Sequence, residues 1–341
     1  MGPHPLILAL ARLQPLAAIS AFVVALSVVI AFTPASAQTP ASLPRVGMLT
    51  PAPSATTKAA WDTFREAMKE LGYVEGKNVV YEYRSAEGQL ERLPQLAAEL
   101  VKLPVKVMVV ANTPGNLAAK KATTTIPIVM VAVGDPVRVG LVSNLGRPGG
   151  NITGFTNLSG QIAAKRLQLL REVVPTATRI GMIGNPGDPN ALIQIQDAEA
   201  AARELKIQLR LFTVQEAGQL GPAFESARSW RAQALLRLND PLQVSLREQT
   251  IELAAKTRIP MMYASRADAV AGGLIGYGVD PVESYTRAAA YVDRILKGAK
   301  PGDLPVQQPT KLELGVNLKT AAALNIKIPQ AVLVQADQVI E

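Results

Sequence analysis

Residues Ile126 to Val137 read Ile-Pro-Ile-Val-Met-Val-Ala-Val-Gly-Asp-Pro-Val. The β-branched run from Ile128 to Val133 stops at Gly-Asp-Pro, a succession that reads as a strand running into a helix start. Asp is a preferred N-cap, because its oxygen accepts N–H groups that the first helical turn leaves unpaired. Pro at the first helical position gives up an N–H that has no intrahelical partner anyway. Asp-Pro recurs at 188-189, 240-241 and 280-281, each time after a run that reads as strand, and Thr113-Pro114 is a fifth junction of the same kind. At Asp280-Pro-Val-Glu283 the acid three residues after the cap adds the pattern of a capping box.

Outward from that stretch, short β-branched runs alternate with helical stretches, which predicts a mostly parallel α/β sheet flanked by helices. The first series of strands is Val46 to Thr50, Val79 to Tyr83, Val105 to Ala111, Ile128 to Val133 and Ile152 to Thr156. The second is Ile180 to Gly184, Gln208 to Val214, Ala234 to Leu238, Met261 to Ala264 and Leu274 to Tyr277. Between them run helices with an apolar stripe, clearest in Trp61, Phe64, Met68 and Leu71, where Gly72 supplies the stop. Val107 to Ala111 followed by Asn112-Thr113-Pro114 echoes Ala234 to Leu238 followed by Asn239-Asp240-Pro241. The echo predicts two related lobes facing across a cleft, with a chance likeness of two βαβ units as the alternative. The break at Gly146-Arg-Pro-Gly-Gly-Asn151 is the expected crossover between lobes. The boundaries expected are 38–155 for the first lobe and 156–305 for the second. The loosely alternating segment from Val306 to Leu318 is expected to carry the chain back, so that about 306–341 complete the first lobe.

The N-terminus speaks to compartment. An apolar run from Leu16 to Phe32 is followed by Pro34 and Ala35-Ser36-Ala37, the layout of a secretory signal peptide over residues 1–37, cleaved before Gln38. An uncleaved anchor is the alternative reading. The sequence contains no cysteine, so a lipidated N-terminal Cys, disulfides and thiolate metal sites are excluded. The formal net charge is +8, but basic residues stand beside acids, as in Arg65-Glu66, Arg171-Glu172 and Arg247-Glu248. That is a mixed solvated surface, and no nucleic-acid partner is expected.

His4 is the single histidine and lies in the expected signal, which removes Ser-His and Cys-His nucleophile systems and His-ligated metals from consideration. No phosphate-cradling glycine loop is present, and no cofactor is expected. An enzyme is a remote alternative, working through paired carboxylates such as Asp135 and Asp280.

The stretch from Ile126 through Gly140-Leu-Val and Asn144-Leu-Gly-Arg-Pro-Gly-Gly-Asn-Ile-Thr-Gly154 resembles one family. So do Lys165 to Pro175, Gly184-Asn-Pro-Gly-Asp-Pro-Asn190, Gly272-Gly-Leu-Ile-Gly-Tyr-Gly-Val-Asp280 and the ending Asp337-Gln-Val-Ile-Glu341. It is the ABC transporter substrate-binding proteins related to the tryptophan-binding component of Gram-positive importers. The resemblance implies a type I periplasmic-binding fold of two Rossmann-like lobes that closes on a small solute and docks, as a monomer, on an inner-membrane permease. Gram-positive members are lipoproteins, and the missing Cys makes this chain look like a periplasmic, non-lipidated member. A periplasmic sensor presenting the same clamp to a signalling partner is the second reading.

The resemblance also implies where a ligand, amino-acid-like or an aromatic carboxylate, would be held: on loops at the strand ends of both lobes. Mapped onto this chain, the first-lobe candidates are Thr50, Asn112, Thr113, Gly134, Asp135 and Thr156. The second-lobe candidates are Asn185, Asn190, Asn239, Asp240, Tyr277 and Asp280. Each also has a structural reading: Thr113, Asp135, Asp240 and Asp280 as helix caps, Asn185, Asn190 and Asn239 as turn residues, and Tyr277 as an internally packed ring.

Overall fold

The strands begin where the β-branched runs begin. They are β1 (Arg45–Thr50), β2 (Val80–Ser85), β3 (Val105–Ala111), β4 (Ile128–Val133) and β5 (Ile152–Thr156), then β6 (Arg179–Gly184), β7 (Gln208–Thr213), β8 (Ala234–Arg237), β9 (Met261–Tyr263) and β10 (Ile275–Gly278), with β11 (Glu313–Asn317) and β12 (Gln338–Ile340) at the end. The computed structural model describes residues 43–341, so the expected signal segment lies outside the described residues. Among the described residues no helix is long and apolar enough to cross a membrane.

The first sheet runs β2-β1-β3-β4-β5, parallel throughout. The second runs β12-β11-β10-β9-β8-β6-β7, parallel except where β10 meets β11. Read from β7, the second sheet repeats the strand order of the first before adding two strands, so β3 and β8, which carry the sequence echo, occupy equivalent central places. The fold is α/β with two parallel-sheet lobes.

Helices α1 (Ser54–Glu70), α2 (Leu93–Lys102) and α3 (Asn112–Ala122) cover the first sheet, and α4 (Ser159–Val173), α5 (Pro189–Glu204) and α6 (Leu220–Ser229) the second. In α1 the apolar stripe buries Trp61, Phe64, Ala67 and Met68. Trp61 meets Phe64, Tyr83 and Tyr285 edge-on at centroid distances of 6.1, 6.0 and 5.0 Å, a geometry that suits ring quadrupoles. Leu71, expected in that stripe, is 43% exposed. It sits past the helix end, where Gly72 at φ +93° turns the chain away.

Two expectations about domain organisation meet a different chain path. The glycine-rich break at 146–151 does not cross between lobes: it is a loop of the first lobe that feeds β5, with Asn151 tied back to the carbonyls of Thr123 and Ile126. The segment 306–341 does not complete the first lobe. Gln307 does lie beside β5, exchanging backbone bonds with Gly154 and Thr156. Beyond it β11 pairs antiparallel with β10, and β12 extends the second sheet. The element that returns to the first lobe is the helix α10 (Pro281–Leu296), whose Tyr285, Ala288, Ala289, Val292 and Ile295 fall at helical spacing and join the core of β1, β3 and α1. Alternation signals a strand but not which sheet edge it seeks.

Candidate functional site

The carboxyl ends of β1, β3, β4 and β5 face those of β8, β9 and β10. Between them lies a cavity of about 680 Å3. Its first-lobe wall is apolar and small, with Ala52 just before α1 and Ala55, Ala59 and Ala60 on it, and is closed by Phe155 and by Tyr285 of α10. Thr56, Thr57, Asn112, Thr156 and Asn157 add polar atoms. The second-lobe wall carries Arg237, Asn239, Ser245, Arg247, Glu248, Ser265 and Asp280, and Glu283, Arg287 and Gln308 stand where the chain crosses between lobes.

Of the twelve residues implied by the resemblance, four reach this cavity: Asn112, Thr156, Asn239 and Asp280. Asn112 has φ +57° at the junction of β3 and α3, a left-handed conformation that asparagine tolerates well. Thr156 donates its hydroxyl to the Gly134 carbonyl at 2.6 Å and accepts from the Leu158 N–H at 3.2 Å. Asp280 caps α10 by accepting from the Val282 N–H at 2.9 Å. The expected capping-box partner does otherwise, since Glu283 accepts instead from Arg287 and Thr310.

The other eight lie away from the cavity wall. Thr50 accepts from the Ala52 N–H at 3.3 Å. Thr113 is no cap, because α3 already begins at Asn112; its hydroxyl accepts from the Gly134 N–H at 3.3 Å. Gly134 is a contact between lobes: a methyl there would fall 1.6 Å from the Asn190 Oδ1 and 2.6 Å from the Ser159 Oγ. Asp135 accepts from the N–H groups of Val137 and Arg138, but a turn rather than a helix follows it. That turn aims Arg138 across to α5, where Nη1 donates to both Asp197 carboxylate oxygens at 2.8 and 2.9 Å and Nη2 to the Gln196 Oε1 at 2.9 Å. Asn190 accepts from the Ser159 hydroxyl and donates to the Asn239 carbonyl. Asn185 accepts from the Gly187 N–H, and its own N–H donates to Asp240. Asp240 is the N-cap of the short helix α7 (Pro241–Ser245). Tyr277 packs against the second-lobe core on β10.

Beneath the second-lobe wall Asp188 and Asp240 are buried close together. Burial foremost, then the charge of Asp240, pushes the Asp188 carboxyl up to about 8, although the Asn190 N–H pulls the other way. Burial likewise raises Asp240 to about 6 against the hydrogen bonds from Gln243 and Asn185. A carboxyl raised on folding stays protonated where the unfolded chain ionises, so its contribution is present at acid pH and is lost as pH rises through the folded value. Stability should therefore fall between about pH 4 and 8, by at most about 1.4 kcal/mol per pH unit for each proton. Asp188→Asn keeps the cap acceptor without the charge and should flatten that slope in urea midpoints taken across this range. Parallel curves for the two proteins would refute it.

Sequence reading missed the cationic part of the wall. Arg237 ends β8, and Arg247 begins the helix α8 (Arg247–Thr257). Both bond Asp268 of α9 (Arg266–Val270), a fully buried carboxylate. Burial works to raise Asp268, but the charges of Arg237 and Arg247 outweigh it and hold the carboxyl below its ordinary value. The available signal was an arginine inside the apolar run Leu235-Leu-Arg-Leu238, at a strand position where a charge is costly without a partner.

Residues 46–340 match the family model described as ABC transporter substrate binding protein. A tyrosine-binding protein of Clostridioides difficile (strain R20291) is 27% identical over 264 residues, spanning 77% of this chain and 76% of that protein. A conserved domain protein of Vibrio cholerae O1 biovar El Tor superposes with a TM-score of 0.81 at 30% identity, covering 87% of this chain and 99% of the other. The ABC domain of Streptococcus pneumoniae in complex with L-Trp superposes at 0.80 with 24% identity, over 88% of this chain and all of that one. With two parallel-sheet lobes around a cavity at their facing strand ends, and a family match over nearly the whole described chain, this protein belongs to the ABC transporter substrate-binding protein family.

Proposed function

We propose that this protein is the exported receptor of an ABC importer. It clamps a small organic solute, amino-acid-like or an aromatic carboxylate, and delivers it to an inner-membrane permease. The observation that carries the reading is the cavity itself: both lobes contribute to one volume of about 680 Å3, within the range of about 300–1,000 Å3 usual for small-molecule sites. Its alanine-lined wall with Phe155 and Tyr285 suits an apolar or ring-bearing body. Asn112, Thr156, Asn239 and Asp280 supply orienting polar groups, Asp280 as a partner for an ammonium. The tyrosine and L-Trp named for two relatives agree with that chemistry. We read residues 1–37 as the signal that exports the chain to the periplasm, where it works as a monomer without catalysis.

A melting screen of the protein beginning at Gln38, against amino acids, aromatic acids and other small solutes, tests this. A solute at 100 times its dissociation constant adds about 2.7 kcal/mol, a rise of several degrees in a chain this size. The same solute should lose its uptake when the gene is deleted. Stabilisation by a solute whose uptake persists in the deletion strain would point away from transport, and turnover of the bound solute would point to an enzyme.

A further inference from the structure

Arg237 is 1% exposed, and its guanidinium is nearly spoken for. Nη2 donates to Asp268 at 2.6 Å and Nη1 to the Gln243 carbonyl at 2.7 Å, while the cation lies 5.6 Å from the Tyr263 ring centre. Its Nε, itself buried on a side chain that lines the cavity, has no hydrogen-bond partner among the described residues. Arg247 donates Nε to the other Asp268 oxygen at 2.7 Å, and its side chain is 33% exposed. Nε is its bonded nitrogen, so among the described residues the terminal fork is uncommitted at the cavity wall. Asp268 also accepts from the Ser265 N–H and hydroxyl at 2.9 Å each, which fixes its plane.

One carboxylate thus faces two guanidiniums. A third, Arg166, is 1% exposed; it spends Nε and Nη2 on the carbonyls of Tyr277 and Ala264 at 2.6 and 2.7 Å and leaves Nη1 without a partner among the described residues. Two buried guanidiniums, Arg237 and Arg166, each keep one donor without an acceptor among the described residues, and a buried donor without an acceptor is costly. The acids elsewhere on the cavity wall are Glu248, Asp280 and Glu283. Glu283 is taken by Arg287. Glu248 and Asp280 are left to face a positive group of the solute.

We infer that Arg247, oriented by Asp268 and backed by the Arg237 Nε, is the site that reads a carboxylate on the transported solute. The inference rests on the receptor reading above and narrows it: a carboxylate becomes the required group, and amines, sugars and neutral amides are rejected. A planar fork matches a carboxylate bidentately, which an ammonium does not. Asp268 acts only through the two arginines and is a positioning residue.

The test is calorimetry on the protein beginning at Gln38. The probes are L-tyrosine, 4-hydroxyphenylacetate, 4-hydroxyphenylacetamide and tyramine, together with each acid and its amide from any solute that stabilises the protein in the melting screen. Wild type should bind acids and reject the matching amides. Arg247→Met should weaken acids about 10–100-fold and bring the acid-to-amide ratio near one. Arg247→Lys, which keeps charge but not the fork, should fall between, and covers the case in which the methionine variant folds poorly. A merely structural arginine would lower acid and amide binding together. Equal binding of acid and amide by wild type, or an unchanged ratio in both variants, overturns the inference and leaves the receptor reading standing. No binding by any solute of the library overturns both.

Discussion

Replacement of Asp268 by alanine should destabilise the protein by about 3–5 kcal/mol, the usual result of breaking a buried ion pair by removing one partner. The variant leaves the Arg237 guanidinium, 1% exposed, with no countercharge, releases Arg247, and strips the N-terminus of α9 of a capping box that Ser265 and Asp268 complete between them. The penalty comes mainly from the stranded cation rather than from the worth of the pair, so Asp268→Asn should also be severe. The sign of the pH dependence separates this from a packing loss. Asp268 has a lowered folded pKa, so its contribution is present above the unfolded carboxylate value and fades as pH falls through the folded one. Urea midpoints for wild type and variant should be far apart at neutral pH and converge in acid. A constant gap across that range would mean that shape, not charge, was lost.

Gly154→Ala should cost at least about 3 kcal/mol, with loss of folded protein on expression as the extreme outcome. Gly154 has φ +134°, a region that side chains rarely enter, and a methyl would stand 2.1 Å from the carbonyl oxygen and 2.6 Å from the nitrogen of Met130. Those are backbone atoms of the paired strand β4, which cannot swing aside as a side chain can. The close approach coincides with the irregularity between Met130 and Val133, where Ala132 takes φ +54° and its carbonyl accepts from Asn157. Ala132 and Asn157 line the cavity, so the strained stretch shapes the site as well as the strand pair. A melting midpoint equal to that of wild type would show that β4 and β5 separate at no cost, and the account of this bulge would fail.

The Asp-Pro junctions were a sound guide at Asp188, Asp240 and Asp280, each of which accepts from a helix N–H in the first turn. The same dipeptide at Asp135 caps only a turn: the chain from there to β5 at Ile152 runs as turns and loop, with no helix. Identical local chemistry therefore served two ends. Asn112 and Asn239, candidates implied by the resemblance, line the cavity because they follow equivalent central strands, whose carboxyl ends face it. Thr113 and Asp240 stand one residue further on, Asn185 and Asn190 follow β6, and all four spend polar atoms on neighbouring groups of the protein. One residue of displacement around a helix start turns a side chain from the cavity to the interior.

The sequence by itself determined the first ten strands, nearly all of their ends to within one residue, and the two-lobe α/β class. These follow from β-branched runs, caps and turn residues, whose effects act over a few residues of chain. Tertiary structure alone decided which lobe took α10 and which took β11 and β12, because apolar faces and open strand edges are matched only in the assembled molecule. It also decided the Arg237, Arg247 and Asp268 cluster, drawn from a strand and two separate helices. The energy of a buried charge depends on what stands within a few ångströms of it, and the order of residues along the chain does not contain that distance.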